Sequence, residues 1–160
     1  MSEHRIGVTV NGQMVSAETE ARRSLADFLR GTAGQTGVHV GCEHGVCGAC
    51  TVIVDGKAVR SCLMLAVQAD GADVTTAEGL AAPDGTLHRV QQMMKDEYGL
   101  QCGFCTPGVV MTLAALTADG ARPTREQLVE ALSGHLCRCT GYQGMLRVAD
   151  RLAEETESRT

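Results

Sequence analysis

The chain has 160 residues and a formal net charge of −5; eight residues are cysteine, 19 are glycine, and only Phe28, Phe104, Tyr98 and Tyr142 are aromatic. No apolar run approaches the roughly 18 residues of a membrane span, and the start MSEHRIGVTV lacks the basic-then-apolar pattern of a secretory signal. An acidic balance without a Lys/Arg cluster argues against nucleic acid or an anionic membrane as partner. The expected setting is cytoplasmic and reducing, where thiolates bind metals more often than they form structural disulfides.

The first half reads as strand-rich. Residues 5–10 alternate Ile6, Val8 and Val10 on one face, and Asn11-Gly12 follows as a hairpin turn into a returning strand at 14–17. Ser24 caps a short helix through Arg30, with Leu25, Phe28 and Leu29 at helical spacing and Gly31 ending it. Residues 31–50 are glycine-rich and hold three cysteines, so they are predicted as a loop. A strand at 51–54, an Asp55-Gly56 turn and a partner strand at 58–61 form a second hairpin. A helical turn is expected at 63–67 and a last strand at 73–76.

The second half changes to helical spacing. Leu87, Val90 and Met94 mark a helix that stops near Gly99. Thr106-Pro107 reads as N-cap and first position of a helix to about residue 118, carrying Val109, Val110, Leu113 and Leu116 inward. Thr124 with Gln127 is a capping box before Leu128 and Leu132. Tyr142, Met145, Ala149 and Leu152 stripe a final helix. The expected organisation is therefore a strand-rich unit at 1–77, a linker at 78–85 and a four-helix unit at 86–160. Each unit is near or below the size at which an apolar core alone is marginal. Bound metal clusters would add to stability, since folding and metal binding are linked.

The eight cysteines sort into two sets of four. Cys42, Cys47, Cys50 and Cys62 have the spacing C-x4-C-x2-C with a fourth cysteine further on, which is the plant-type 2Fe–2S pattern. Gly41, Gly45 and Gly48 are expected to supply the positive φ values and close approach that such a loop needs. Their free amide N–H groups would point at the sulfurs and tune the potential. Structural zinc favours two paired knuckles, and this set has only one. Cys102, Cys105, Cys137 and Cys139 form a C-x2-C pair and a C-x-C pair, each just before a predicted helix. Two helix N-termini would then face one site, an arrangement suited to an anionic cluster. Taken alone, this second set fits a four-cysteine zinc site as well as a 2Fe–2S cluster, and a reactive disulfide is a third reading.

His39, His44 and His135 lie near the cysteines but are read as supporting residues, because each site already has four thiols. Met93, Met94 and Met111 read as core fillers, and Tyr98 as a packing residue at a helix end. Arg138, Arg147 and Arg151 read either as anchors for a partner or cofactor phosphate or as solvated charges. No set of residues for nucleophilic catalysis is discernible, so no catalytic residue is expected on this chain.

The segments GCEHGVCGACTV, then Cys62, QCGFCTPG and HLCRCTGYQ resemble the small iron–sulfur subunit of molybdenum hydroxylases, the family of xanthine dehydrogenase, aldehyde oxidoreductase and aerobic CO dehydrogenase. The resemblance runs from Arg5 to about Ala153 and includes all eight cysteines. It implies an α+β chain: an N-terminal plant-ferredoxin-like β-grasp domain followed by a C-terminal four-helix bundle domain. It implies one 2Fe–2S cluster on Cys42, Cys47, Cys50 and Cys62 and a second on Cys102, Cys105, Cys137 and Cys139. The second would lie near a molybdopterin in a large subunit, with Gln101 and Cys139 approaching the pterin. The first would lie nearer FAD in a medium subunit. Because the chain stops soon after its last predicted helix, it resembles the separate small subunit of a three-subunit enzyme, expected as a dimer of heterotrimers.

Overall fold

A computed structural model describes residues 3–157, with side chains described through Glu155. Strand β1 (Glu3–Val10) turns at Asn11 and Gly12, both at positive φ, and pairs antiparallel with β2 (Gln13–Glu20). β2 runs three residues past the expected 17. Glu18 and Glu20 look like loop residues in the sequence, but Thr19 between them is buried and Glu20 pairs with Glu3. Helix α1 (Leu25–Gly31) starts where the Ser24 hydroxyl accepts the Asp27 N–H at 3.1 Å, and it buries Leu25, Phe28 and Leu29.

The second hairpin is β3 (Thr51–Val54) and β4 (Lys57–Arg60). β5 (Asp73–Thr75) runs parallel to β1 and antiparallel to β3, which gives the order β2-β1-β5-β3-β4. Ser61, expected in β4, leaves the sheet because its hydroxyl donates to the Cys50 carbonyl at 2.7 Å. The expected turn at 63–67 is instead two short 3₁₀ turns, Ser61–Leu63 and Ala66–Ala69, separated by extended residues of which Leu65 bridges to Ser24. Ile6, Val8, Phe28, Leu29, Val52 and Val74 form the core between sheet and helix, a ferredoxin-like β-grasp arrangement.

Among the described residues the second half holds four α-helices: α2 (Arg89–Asp96), α3 (Thr106–Leu116), α4 (Arg125–Ser133) and α5 (Gln143–Glu157). They pack in a closed ring, α2 on α3, α3 on α4, α4 on α5 and α5 on α2, around Val90, Met94, Leu113, Leu128, Met145 and Leu152. Met93 and Met111 are buried too. α2 begins after Leu87 because His88 is its cap: the imidazole Nδ1 accepts the Val90 N–H, and Gln91 reaches back to the His88 N–H at 2.9 Å. α3 begins one residue early, with Cys105 at its cap, so Thr106 is already helical. It ends at Leu116, since the Thr117 hydroxyl turns back onto the Leu113 carbonyl at 2.8 Å. The capping box of Thr124 and Gln127 is formed in both directions. Among the described residues no helix is long and apolar enough to cross a membrane.

Tyr98 is a correction to the sequence reading. It takes the left-handed position after α2, with φ +53°, so its ring swings out and is 82% exposed. Arg147 and Arg151 both bind Glu97, at 3.0 Å each, and tie α5 to the end of α2. They are internal ion pairs, whereas Arg138 is exposed.

Candidate metal centres

The first set of thiols is held by a loop pinned at both ends to the β3–β4 hairpin. Thr51 donates through both its N–H (3.1 Å) and its hydroxyl (2.7 Å) to the Gly48 carbonyl. Ser61 fixes the Cys50 carbonyl, which brings Cys62 to the same place. Between these pins the backbone winds through positive φ at Glu43, Gly45 and Gly48. Gly41, expected to be the same, has no positive φ; it is needed for space, since a Cβ there would lie 3.2 Å from the Phe104 ring and 3.3 Å from Cys47 Sγ.

The winding turns backbone amides toward sulfur, as a loop built for an anion must. The N–H groups of His44, Val46 and Cys47 point at Cys42 Sγ, and that of Gly45 at Cys62 Sγ. The Cys47 N–H, at 3.4 Å, is the main cause that lowers the Cys42 thiol to about 6. Burial, then the neighbouring Cys50, pushes Cys62 up to about 11.

The second set comes from two loops that precede helices. Cys102 and Cys105 flank Gly103 (φ +81°) ahead of α3, and Cys137 and Cys139 lie between α4 and α5. Tyr142 organises the latter loop. Its hydroxyl accepts the Cys137 N–H at 2.9 Å and donates to the His135 carbonyl at 3.1 Å, while its own N–H donates to Thr140 Oγ1. Burial pushes Cys105 up to about 12. Burial acts the same way on Cys137, but the Thr140 hydroxyl and the amides of Thr140 and Cys139 outweigh it and lower that thiol. Cys102 and Cys139 are exposed, as is Gln101 beside them.

Within each set the thiols act on one another as neighbouring pairs: Cys42 with Cys47, Cys50 with Cys62, Cys105 with Cys137, and Cys102 with Cys139. Two plus two is the donor arrangement of a binuclear core, one pair per iron. Residues and group therefore fit: soft thiolate pairs, amide donors on the sulfurs, and loops shaped for an anion.

None of the three histidines joins the thiols. His39 stacks on Phe104 (centroids 4.9 Å apart) and donates from Nδ1 to its carbonyl at 2.8 Å; His44 Nδ1 donates to the Cys42 carbonyl. His135 is buried, hydrogen-bonds Thr112 Oγ1 through Nε2 at 2.8 Å, and has no partner at Nδ1. Burial, then the Arg60 charge, lowers it to about 4, so it is neutral near pH 7.

The two sets meet across a close seam. The Leu136 N–H donates to the Cys47 carbonyl at 3.0 Å, and Arg60 donates to the Gly134 carbonyl at 2.7 Å. Sequence reading missed the roles of Arg60, Leu136 and Thr140, and it placed Tyr142 on the stripe of the last helix, whereas Tyr142 precedes α5 with φ +65°. The signal for Thr140 and Tyr142 was their place in the segment HLCRCTGYQ.

Residues 8–81 match the family described as "2Fe-2S iron-sulfur cluster binding domain", and residues 76–150 match the family described as "[2Fe-2S] binding domain". The chain is 52% identical over 160 residues to caffeine dehydrogenase subunit gamma of Pseudomonas sp. (strain CBB1), covering 98% of this chain and 95% of that one. It superposes on quinoline 2-oxidoreductase from Pseudomonas putida 86 with a TM-score of 0.87 and 42% identity, covering 99% and 98%. With the aldehyde oxidoreductase from Desulfovibrio gigas the TM-score is 0.86 at 38% identity, with 98% of this chain but 18% of that longer one.

Proposed function

The chain belongs to the small iron–sulfur subunits of the molybdenum hydroxylases, the family of the xanthine and aldehyde dehydrogenases, and from that premise we propose that it relays electrons one at a time from a molybdopterin centre in a large partner subunit to FAD in a medium one. It is the iron–sulfur part of an oxidoreductase. The proposed ligands are Cys42, Cys47, Cys50 and Cys62 for the first 2Fe–2S cluster, and Cys102, Cys105, Cys137 and Cys139 for the second. When bound, each cluster supplies reversible one-electron chemistry.

One observation carries this reading: two sets of paired thiols, one per core, are joined at a seam where a single hydrogen bond links Cys47 to Leu136, the neighbour of Cys137. A single-centre shuttle has no use for such a seam. Within each loop, this chain's amides offset the negative charge that the thiolates bring, and the neighbouring apolar core keeps water from Cys50 and Cys105. Gln101, Cys102 and Cys139 are exposed together, which supports that face as the one nearest the molybdopterin. Exposed Val46 and Leu63 border the first set and support a second docking face toward the flavin subunit. In this reading residues 1–77 and 86–160 are the two domains joined by 78–85, the assembly is a dimer of heterotrimers in the cytoplasm, and substrate choice lies in the large subunit.

Affinity purification of the tagged chain from native extract tests the proposal. Co-purification of molybdenum and flavin with partner polypeptides is expected. A chain that emerges alone, with neither, contradicts it.

A further inference from the structure

Arg60 closes β4 and stands two residues before Cys62. Its guanidinium does not extend into solvent. One nitrogen donates to Thr51 Oγ1, and another donates to the Gly134 carbonyl at 2.7 Å, joining residues 74 apart in sequence. The Thr51 hydroxyl donates onward to the Gly48 carbonyl at 2.7 Å. One peptide away from Gly48, the Cys47 carbonyl accepts the Leu136 N–H at 3.0 Å. Gly134 and Leu136 themselves lead into Cys137. These bonds form a closed ring: Cys47 and Gly48 on one ligand loop, Thr51 and Arg60 on the hairpin, Gly134 and Leu136 on the other ligand loop.

The approach across this ring is close because both loops present glycine. A Cβ on Gly48 would overlap the His135 ring and lie 2.7 Å from the Gly134 carbonyl oxygen; a Cβ on Gly134 would lie 3.0 Å from the Arg60 guanidinium. From Cys47 to Cys137 there is then a path of covalent bonds interrupted by one hydrogen bond, and Arg60 braces it from the side. Two acceptors, one on the hairpin and one on the second loop, need a planar fork, which arginine has and lysine lacks. The charge is fixed and half-buried between the Thr51 hydroxyl and the Gly134 carbonyl, two residues before Cys62 and against the residue three before Cys137, where the screening by water is reduced.

We propose that Arg60 is a positioning residue for electron exchange between the two centres: its fork, reaching the first ligand loop through Thr51 and the second directly, locks the two loops in register, and its charge favours the reduced form of both. The inference rests on both thiol sets holding 2Fe–2S clusters. The exchange moves one electron from one centre to the other, makes and breaks no bond, and leaves Arg60 neither oxidised nor deprotonated.

The test uses the full cluster-loaded chain and two variants. Arg60→Lys keeps the charge but cannot span both acceptors; Arg60→Met keeps the stem and loses charge and fork. Iron and acid-labile sulfide are measured first, and a wild-type chain without them overturns the underlying reading before any variant is compared. EPR of the fully reduced protein then reads the spin–spin splitting between the centres, and redox titration reads their potentials. Weakened splitting in both variants, with both potentials lowered only in Arg60→Met, supports the proposal. Wild-type splitting in the variants that retain full iron and sulfide overturns it. If Arg60→Met fails to load, Arg60→Lys decides by its splitting alone.

Discussion

Gly108 in the first turn of α3 sits so close to the loop of Cys47 and Cys50 that a Cβ there would overlap the Gly48 carbonyl oxygen and lie 3.1 Å from the Ala49 Cα. This backbone-on-backbone contact brings α3, and with it Cys105, against the loop of Cys47 and Cys50. In an unconstrained helix, Gly→Ala gains about 1 kcal/mol. Here the sign reverses: Gly108→Ala is expected to cost about 1–3 kcal/mol through forced displacement of the loop. Thermal unfolding of the cluster-loaded chain measures it, and a raised midpoint contradicts the contact.

That contact also shows what the sequence could and could not reveal. The C-x4-C-x2-C spacing, the Asn11-Gly12 and Asp55-Gly56 turns and the Thr124–Gln127 box are local, and local patterns were legible. The pairing of Cys105 with Cys137, the bond from Arg60 to Gly134 and the bed of Gly108 on Gly48 join residues 30 or more apart. No periodicity encodes them. Boundaries shifted by a residue or two where a side chain captured a backbone group: His88 at the start of α2, Thr117 at the end of α3, Ser61 at the end of β4. Of the two reasons expected for Gly41, close approach holds and positive φ does not.

The two thiol sets share no cysteine and come from different loops, so their loss should be separable. Cys50→Ser is expected to abolish the EPR signal of the first centre and remove about half the iron, leaving the second signal in place. Cys105→Ser should do the converse. Loss of both signals from either substitution contradicts independent centres.

Tyr142→Phe removes one oxygen that serves both the Cys137 N–H and the His135 carbonyl. Leaving two backbone groups unpaired is expected to cost about 2 kcal/mol. The effect should be confined to the second centre. Faster bleaching of its visible absorption and EPR signal, with the first unchanged, is the expected result; equal bleaching of both contradicts the assignment.

His88 links stability to pH through its role as the α2 cap. Burial, then the adjacent Arg89 charge, lowers its pKa from 6.5, and protonation would abolish the lone pair that accepts the Val90 N–H. A histidine depressed in the fold binds its proton more readily when unfolded. Its contribution is therefore complete above pH 6.5 and is lost as the pH falls below 6.5 through the folded value. His88→Ser keeps a capping oxygen and does not titrate. The wild type should lose more thermal stability than this variant between about pH 7.5 and about pH 5.5; equal losses contradict the linkage.

The most direct test of the account is the iron and acid-labile sulfide content of the purified chain, read with the EPR spectrum of its dithionite-reduced form. Two binuclear centres predict about four iron and four sulfide per chain, with two distinguishable signals. Zinc without sulfide, or iron and sulfide sufficient for only one centre with a single signal, contradicts it.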